Sequence, residues 1–256
     1  MQKINFSLTP HIYAAEFDNS IIILDSSTDN YLSLIEEAAQ NFKLVLNSNF
    51  YLNEENKFVL NENENLEKNN LDIEELNEWI AHFIESKYII KTTGERKFIV
   101  SLPLKSGGLI DYQWDQKPSW KPFAKSSKIQ IIKAFFELKK IHNIMVKLGI
   151  KGILDIIQNI SKNRKNLFIP SEKEIERLSS AVDAASLLYK KKTYCLAWAA
   201  TFVVLALKKN WKCSLEIGVQ ANPFYAHAWA IINQKVVNDD PKIAQVLAII
   251  LKEPNF

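Results

Sequence analysis

Tyr194-Cys195-Leu196-Ala197-Trp198-Ala199-Ala200-Thr201-Phe202-Val203-Val204-Leu205-Ala206-Leu207, closed by Lys208-Lys209-Asn210, is the stretch on which the reading of this chain turns. From Tyr194 to Leu207 it carries no charge, and a helix that is apolar on all sides is buried on all sides. Its 14 residues fall short of a membrane span, which needs about 20, so it reads as the central helix of a water-soluble core. The next segments, Ser214 to Val219, Ala228 to Ile232 and Lys235 to Val237, read as strands, the last two joined by an Asn233-Gln234 turn. A helix followed by antiparallel strands places the carboxy-terminal region in the α+β class.

Cys195 stands in the first turn of that helix, where unpaired N–H groups and the positive end of the macrodipole favour a thiolate. His227 follows 32 residues later at the start of a strand, and Asp239 lies 12 further on, at the end of the next. A thiol, a base and an orienting acid on three consecutive elements form the pattern of nucleophilic catalysis. Two other readings stand beside it. A free cysteine is commonly just a small buried apolar residue, as Cys213 after Trp211 is read to be. The register is also open: a strict two-residue turn sets His227 opposite Asp240, whereas a bulge or a three-residue loop sets it opposite Asp239. His11, His82 and His142 have no partner visible in the sequence.

Upstream, Pro170-Ser171-Glu172-Lys173-Glu174 opens another helix with a capping box of Ser171 and Glu174. Before it, Ile129 to Ile157 is basic and amphipathic, with Ile132, Phe135, Phe136, Ile141, Ile144, Met145 and Leu148 among Lys133, Lys139, Lys140, Lys147 and Lys151. It reads as helix packing with the lysines in water; docking to a membrane surface or an acidic partner is the alternative. The first third alternates strands and turns: His11 to Phe17, Ile21 to Leu24 and Asn30 to Leu34 make a meander. Two helices follow, over Ile35 to Leu46 and Ile73 to Ile84, separated by the Asn/Glu-rich, solvated stretch Asn53 to Asn70. Gly94, Pro103, Gly107 and Gly108 punctuate a linker that Trp114, Trp120 and Phe123 pin to a neighbour.

Charge changes sign along the chain: residues 1–116 hold 9 basic and 19 acidic side chains, and residues 117–192 hold 17 and 6. A change of domain is expected near the reversal, giving three parts at 1–92, 93–166 and 167–256. With 256 residues, 47% of them hydrophobic and 24% charged, the chain is neither disordered nor fibrous. Two cysteines exclude a disulfide scaffold and a cysteine-rich zinc module. The amino terminus lacks the apolar run of a signal peptide, so a reduced, cytoplasmic setting is expected.

The segments Tyr194-Cys195-Leu196, Ile217-Gly218-Val219 with Asn222-Pro223-Phe224, His227-Ala228-Trp229 and Val236-Val237-Asn238-Asp239 together resemble the lasso-peptide (microcin) maturation B proteins over residues 170–245. The resemblance implies a transglutaminase-like, papain-like cysteine peptidase that removes the leader from a ribosomally made precursor. Cys195 is then the nucleophile, His227 the base and Asp239, in preference to Asp240, the orienting acid; Trp229 is core. The first third is similar to the PqqD-like, winged-helix-like element that binds leader peptides, here fused to the peptidase. That similarity implies that the leader adds as a strand along Tyr31-Leu32-Ser33-Leu34 and packs on Trp79 and Phe83, although a core role for Phe83 and Ile80 fits their spacing better. It further implies a lasso precursor, an asparagine-synthetase-like cyclase and an export ABC transporter as partners. No cofactor or metal on this chain and no nucleic-acid partner are implied, any ATP requirement lying with the cyclase. Residues 96–166 match no motif, and no upstream glutamine is assignable as an oxyanion donor, which leaves the Cys195 backbone N–H. A noncatalytic leader-binding chaperone, a transglutaminase-type acyl transferase and a thiol peptidase of broad specificity are the rival readings.

Overall fold

The computed structural model describes residues 3–55, 57–60, 72–101 and 126–256. The linker aromatics Trp114, Trp120 and Phe123, and most of the Asn/Glu-rich stretch, lie outside the described residues. The chain divides into two units, Met1–Asp25 with Asn30–Lys105, and Ser26–Asp29 with Ser106–Phe256.

In the first unit, β2 (Ile12–Phe17), β3 (Ser20–Asp25) and β4 (Asn30–Ile35) form the expected antiparallel meander. β1 (Asn5–Leu8) pairs antiparallel with β7 (Ile89–Thr92), and β8 (Val100–Ser101) adds parallel to β2. The described residues 93–101 pack with this unit, and Lys97 N–H donates to Ser7 Oγ at 2.8 Å. Charge and punctuation miss this because strands of two to four residues are too short to show a period. A hairpin of β5 (Phe50–Leu52) and β6 (Phe58–Leu60) occupies the described part of the stretch expected to be a solvated connection. The two helices, α1 (Glu36–Asn47) and α2 (Ile73–Glu85), bury Phe42, Val45, Leu46, Leu76, Ile80 and Phe83 against Phe6 and Phe50. Edge-to-face rings tie the layers, Phe42 to Phe83 at 4.9 Å and Phe6 to Phe50 at 5.3 Å.

The second unit is built around α5 (Cys195–Lys208). Its apolar circumference is buried on every side: α3 (Lys128–Lys162) and α4 (Glu172–Leu188) cover it, as do β9 (Cys213–Gln220) and β10 (Tyr225–Ile232). Thr201, the one hydroxyl in its buried part, donates to the Ala197 carbonyl at 2.7 Å and so adds no unpaired polar group. The capping box forms as the sequence predicts, with Glu174 accepting from the Ser171 N–H and hydroxyl. α3 spans the basic stretch but is broken at Gly149, whose φ of 60° only glycine adopts freely. Its lysines are exposed, and Ala134, Leu138, Ile141, Ile153 and Ile157 face the core. Ile132, Phe136 and Leu148, grouped by spacing with the packing face, are instead exposed.

The sheet has four strands where two or three were expected, in the order β11 (Lys235–Val237), β10, β9, β12 (Ala248–Glu253). The apolar part of β12, Ala248–Leu251, carries no alternation, since it is largely buried and its register against β9 is interrupted between Ile249 and Leu251. β10 begins at Tyr225, so His227 is its third residue, not its first. Where His227 pairs with Gly218, the neighbouring Trp229 lies across the glycine: a Cβ on Gly218 would sit 2.5 Å from Trp229 Cη2 and 2.7 Å from Leu247 Cβ. Neither ring nor backbone-anchored carbon can yield. Gly218→Ala is expected to destabilise the second unit by about 1–3 kcal/mol, read as a lower midpoint in urea denaturation with an unchanged slope.

Candidate active site

Cys195 is the first residue of α5, and Tyr194 caps the helix through its backbone alone, with no side-chain cap bond. The N–H groups of the first turn have no helical acceptor. Although most of α5 is buried, Cys195 is exposed, and its thiol lies in hydrogen-bond contact with His227. His227 is 4% exposed, and its Nε2 lies 2.7 Å from Asp239 Oδ2, which leaves Nδ1 as the ring nitrogen for Cys195. The other carboxylate oxygen of Asp239 accepts the Asp240 N–H at 2.9 Å. The imidazole is also held between rings on its own strand face: Tyr225 and Trp229, two residues to either side, lie near-parallel to it with centroids 6.2 and 6.1 Å away.

The register has a resolution that neither expected case allowed. Asn233-Gln234 is a strict two-residue turn, with both residues at positive φ and Ile232 paired to Lys235. Continuing that ladder would bring Asp240 opposite His227. The ladder stops at Val237 instead, and Asn238 turns left-handed at φ 55°, which carries Asp239 out of register and onto the imidazole. An irregular residue after a three-residue strand leaves no period to read, so spacing alone could not choose between the two carboxylates.

Electrostatics follow from this geometry. Packing around the Cys195 sulfur works to raise its pKa, but the hydrogen bond to His227, the imidazolium charge and the N–H groups of Ala228 and Leu196 outweigh it and hold the thiol below its ordinary range. Burial likewise works to lower the His227 pKa, and its bonds to Asp239 and Cys195 reverse this and raise it. Each group thus stabilises the charged form of the other. Cys213, wholly buried in β9, has its thiol pushed strongly upward by burial and is inert.

Two further side chains went unnoticed in the sequence. Asp183 of α4 accepts the Trp198 indole N–H at 2.9 Å and the Asn238 amide at 3.1 Å. The available signal was its position as a lone acid in the small apolar run Ala181-Val182-Asp183-Ala184-Ala185. Glu216, 1% exposed in β9, accepts the Trp229 indole N–H at 2.9 Å and faces Lys252 Nζ at 3.0 Å. These two donors compensate the buried carboxylate, and Trp229, 1% exposed, is core as expected. Among the described residues no group of three or more His, Cys, Asp or Glu could hold a metal ion, and no helix is long and apolar enough to cross a membrane.

In the first unit, Tyr31, Leu32, Ser33 and Leu34 lie on β4, an edge strand of its sheet, with Leu32 and Ser33 exposed. Trp79 is half-buried on α2. Phe83 is 0% exposed, stacked under Trp79 at 5.5 Å and against Phe42, so it belongs to the core and offers no surface to a peptide.

The raised His227 pKa and the lowered Cys195 pKa fix the sign of a pH response. Thiolate forms as pH rises through the lowered Cys195 value, and the imidazolium is lost as pH rises through the raised His227 value. Alkylation of Cys195 by iodoacetamide is expected to titrate with a midpoint below the ordinary thiol value of about 8.5. In His227→Ala, which leaves only the Ala228 and Leu196 N–H groups to oppose packing, the midpoint is expected to rise from the wild-type value; an unmoved midpoint would refute the pairing.

Residues 143–252, which contain Cys195, His227 and Asp239, match the family model of the Transglutaminase-like superfamily. The chain is 26% identical over 123 residues to the microcin J25-processing protein McjB of Escherichia coli, covering 48% of this chain and 59% of that relative. It thus spans less than two thirds of the relative's length. No solved structure matches the chain. Residues 143–252 form a transglutaminase-like domain of mixed helix and sheet.

Proposed function

We propose that this protein is a cysteine endopeptidase of lasso-peptide maturation, which binds the leader of a precursor and cleaves it from the core. The observation that carries the reading is a thiol at a helix N-terminus sharing a histidine with a carboxylate 2.7 Å from that histidine's far nitrogen. Likeness to a microcin-processing protein supports the substrate class.

In this reading the Cys195 thiolate attacks the carbonyl carbon at the leader–core junction, and the oxyanion that forms is met by the Cys195 backbone N–H. The C–N bond breaks as the His227 imidazolium gives its proton to the departing core amine, leaving the leader as a thioester on Cys195. Water, deprotonated by His227, then attacks the thioester and releases the leader as a carboxylic acid with the thiol restored. Asp239 orients the imidazole and balances its charge throughout. The freed core amine is what a partner cyclase of the asparagine-synthetase type joins to a side-chain carboxylate, with ATP consumed there and the product passed to an export transporter. This chain needs no cofactor of its own, and a reducing cytoplasm keeps Cys195 a thiol.

For the first unit the reading is capture of the leader as a strand added along β4, the edge strand of its sheet, with Leu32 and Trp79 offering apolar contact. Capture raises the local concentration of the junction at the second unit. Acyl transfer to an amine is the second reading, favoured by the transglutaminase-like match, since the same thioester serves both.

The test is mass spectrometry of a lasso precursor incubated with the protein, with and without cyclase and ATP. Hydrolysis yields two fragments whose masses sum to the precursor plus one water, and Cys195→Ala is expected to abolish them while still binding the precursor. A leader joined to an added amine marks acyl transfer; an intact precursor that binds under every condition marks a noncatalytic chaperone and overturns the peptidase. Leu32→Asp is expected to weaken leader binding about tenfold, or ~1.4 kcal/mol, and to leave Cys195 alkylation unchanged.

A further inference from the structure

Asp183 lies on α4, outside the Cys195, His227 and Asp239 set, yet it touches both sides of it. Its Oδ1 accepts the indole N–H of Trp198 at 2.9 Å, and its Oδ1 and Oδ2 lie 3.1 and 3.3 Å from the side-chain amide nitrogen of Asn238. Trp198 stands one turn beyond Cys195 on α5, and Asn238 is the residue before Asp239. Both partners are donors, and a carboxylate is acceptor-only, so both are served at once with charge assistance.

The Asn238–Asp239 segment has need of such a tie. β11 is three residues long, its ladder ends at Val237, and Asn238 is exposed in the left-handed region. Asp239 is held by His227 and by the Asp240 N–H, and the Asp183 carboxylate adds the tie from this turn to α4. On the other side, the Trp198 ring is fixed by stacking on Phe202 at 5.6 Å and 9°, so its N–H points in a set direction. We propose that Asp183 is a positioning residue, a clamp between the helix that presents Cys195 and the turn that presents Asp239, holding acid and thiol in common register about His227. This rests on the reading of Cys195, His227 and Asp239 as one reacting set.

The sign of the effect separates this role from a simple field effect. A nearby negative charge disfavours a thiolate, so its removal alone would lower the Cys195 midpoint. Loss of positioning loosens Asp239 from His227 and raises it. The experiment is iodoacetamide alkylation of the intact chain against pH, with Cys213 too buried to react. In Asp183→Asn and Asp183→Ala the midpoint is expected to rise by roughly 0.5–1 pH unit, which is about three- to tenfold slower alkylation on the rising limb. Asn238→Ala should move it the same way, and in an Asp239→Ala background the Asp183 substitutions should add nothing. A midpoint that stays or falls in variants with native circular dichroism overturns the clamp, as does a shift that adds in full to that of Asp239→Ala. Should Asp183→Ala fail to fold, Asp183→Asn and Asn238→Ala carry the test. A wild-type midpoint at the ordinary thiol value overturns the reacting set itself, which separates that failure from failure of the clamp.

Discussion

A thiol can be presented at the tip of a buried helix only if the helix is gripped along its length and something polar waits at its end. α5 meets both conditions. From Ala197 to Leu207 it is covered by two helices and two strands, and the helix end emerges at Cys195 with its free N–H groups beside the imidazole of His227. The grip holds the helix in place, and the exposed end brings the dipole and the open N–H groups to the sulfur. Two residues further into the helix, at the fully buried position of Ala197, a cysteine would be another packed apolar side chain, as Cys213 is in β9.

The carboxylates around the site divide the work by their surroundings. Asp239, partly exposed, faces His227 and sustains its charge. Glu216 is buried beneath the same strand face and is spent on Trp229 and Lys252, and this fixes the ring that lies over Gly218 beside the imidazole. Asp183 reaches from α4 to the indole of Trp198 and the amide of Asn238. Each acid accepts from donors on different elements, so helices, strands and the Asn238–Asp239 turn are joined by charge-assisted bonds as well as by packing.

The two units pose different problems of recognition. In the second, a thiol, an imidazole and a carboxylate meet at one point, and the transglutaminase-like likeness extends from within α3 to β12. In the first, the resource is backbone: an edge strand whose outward N–H and C=O groups can pair with an extended peptide regardless of its exact sequence. Phe83, buried beneath Trp79, serves that surface only by supporting the indole from below.

Much of the architecture is written in local patterns. The uncharged run before Lys208, the Ser171–Glu174 box, the Asn233-Gln234 turn and the meander from Ile12 to Ile35 each follow from short-range physics, namely burial, capping and turn chemistry. Cys195 and His227 could be singled out as well, because a helix start and a strand are local features. The sequence could not supply what depends on long-range pairing. β1 with β7, β8 with β2 and the outer strand β12 are short or irregular in register, so no period marks them. The choice of Asp239 over Asp240 lay in where a ladder ends and one asparagine turns left-handed. Asp183, 12 residues before Cys195 in the chain, meets Asn238 55 residues away only because α4 packs on α5. Local free energy selects elements along the chain; which carboxylate meets which donor is settled only when the elements pack.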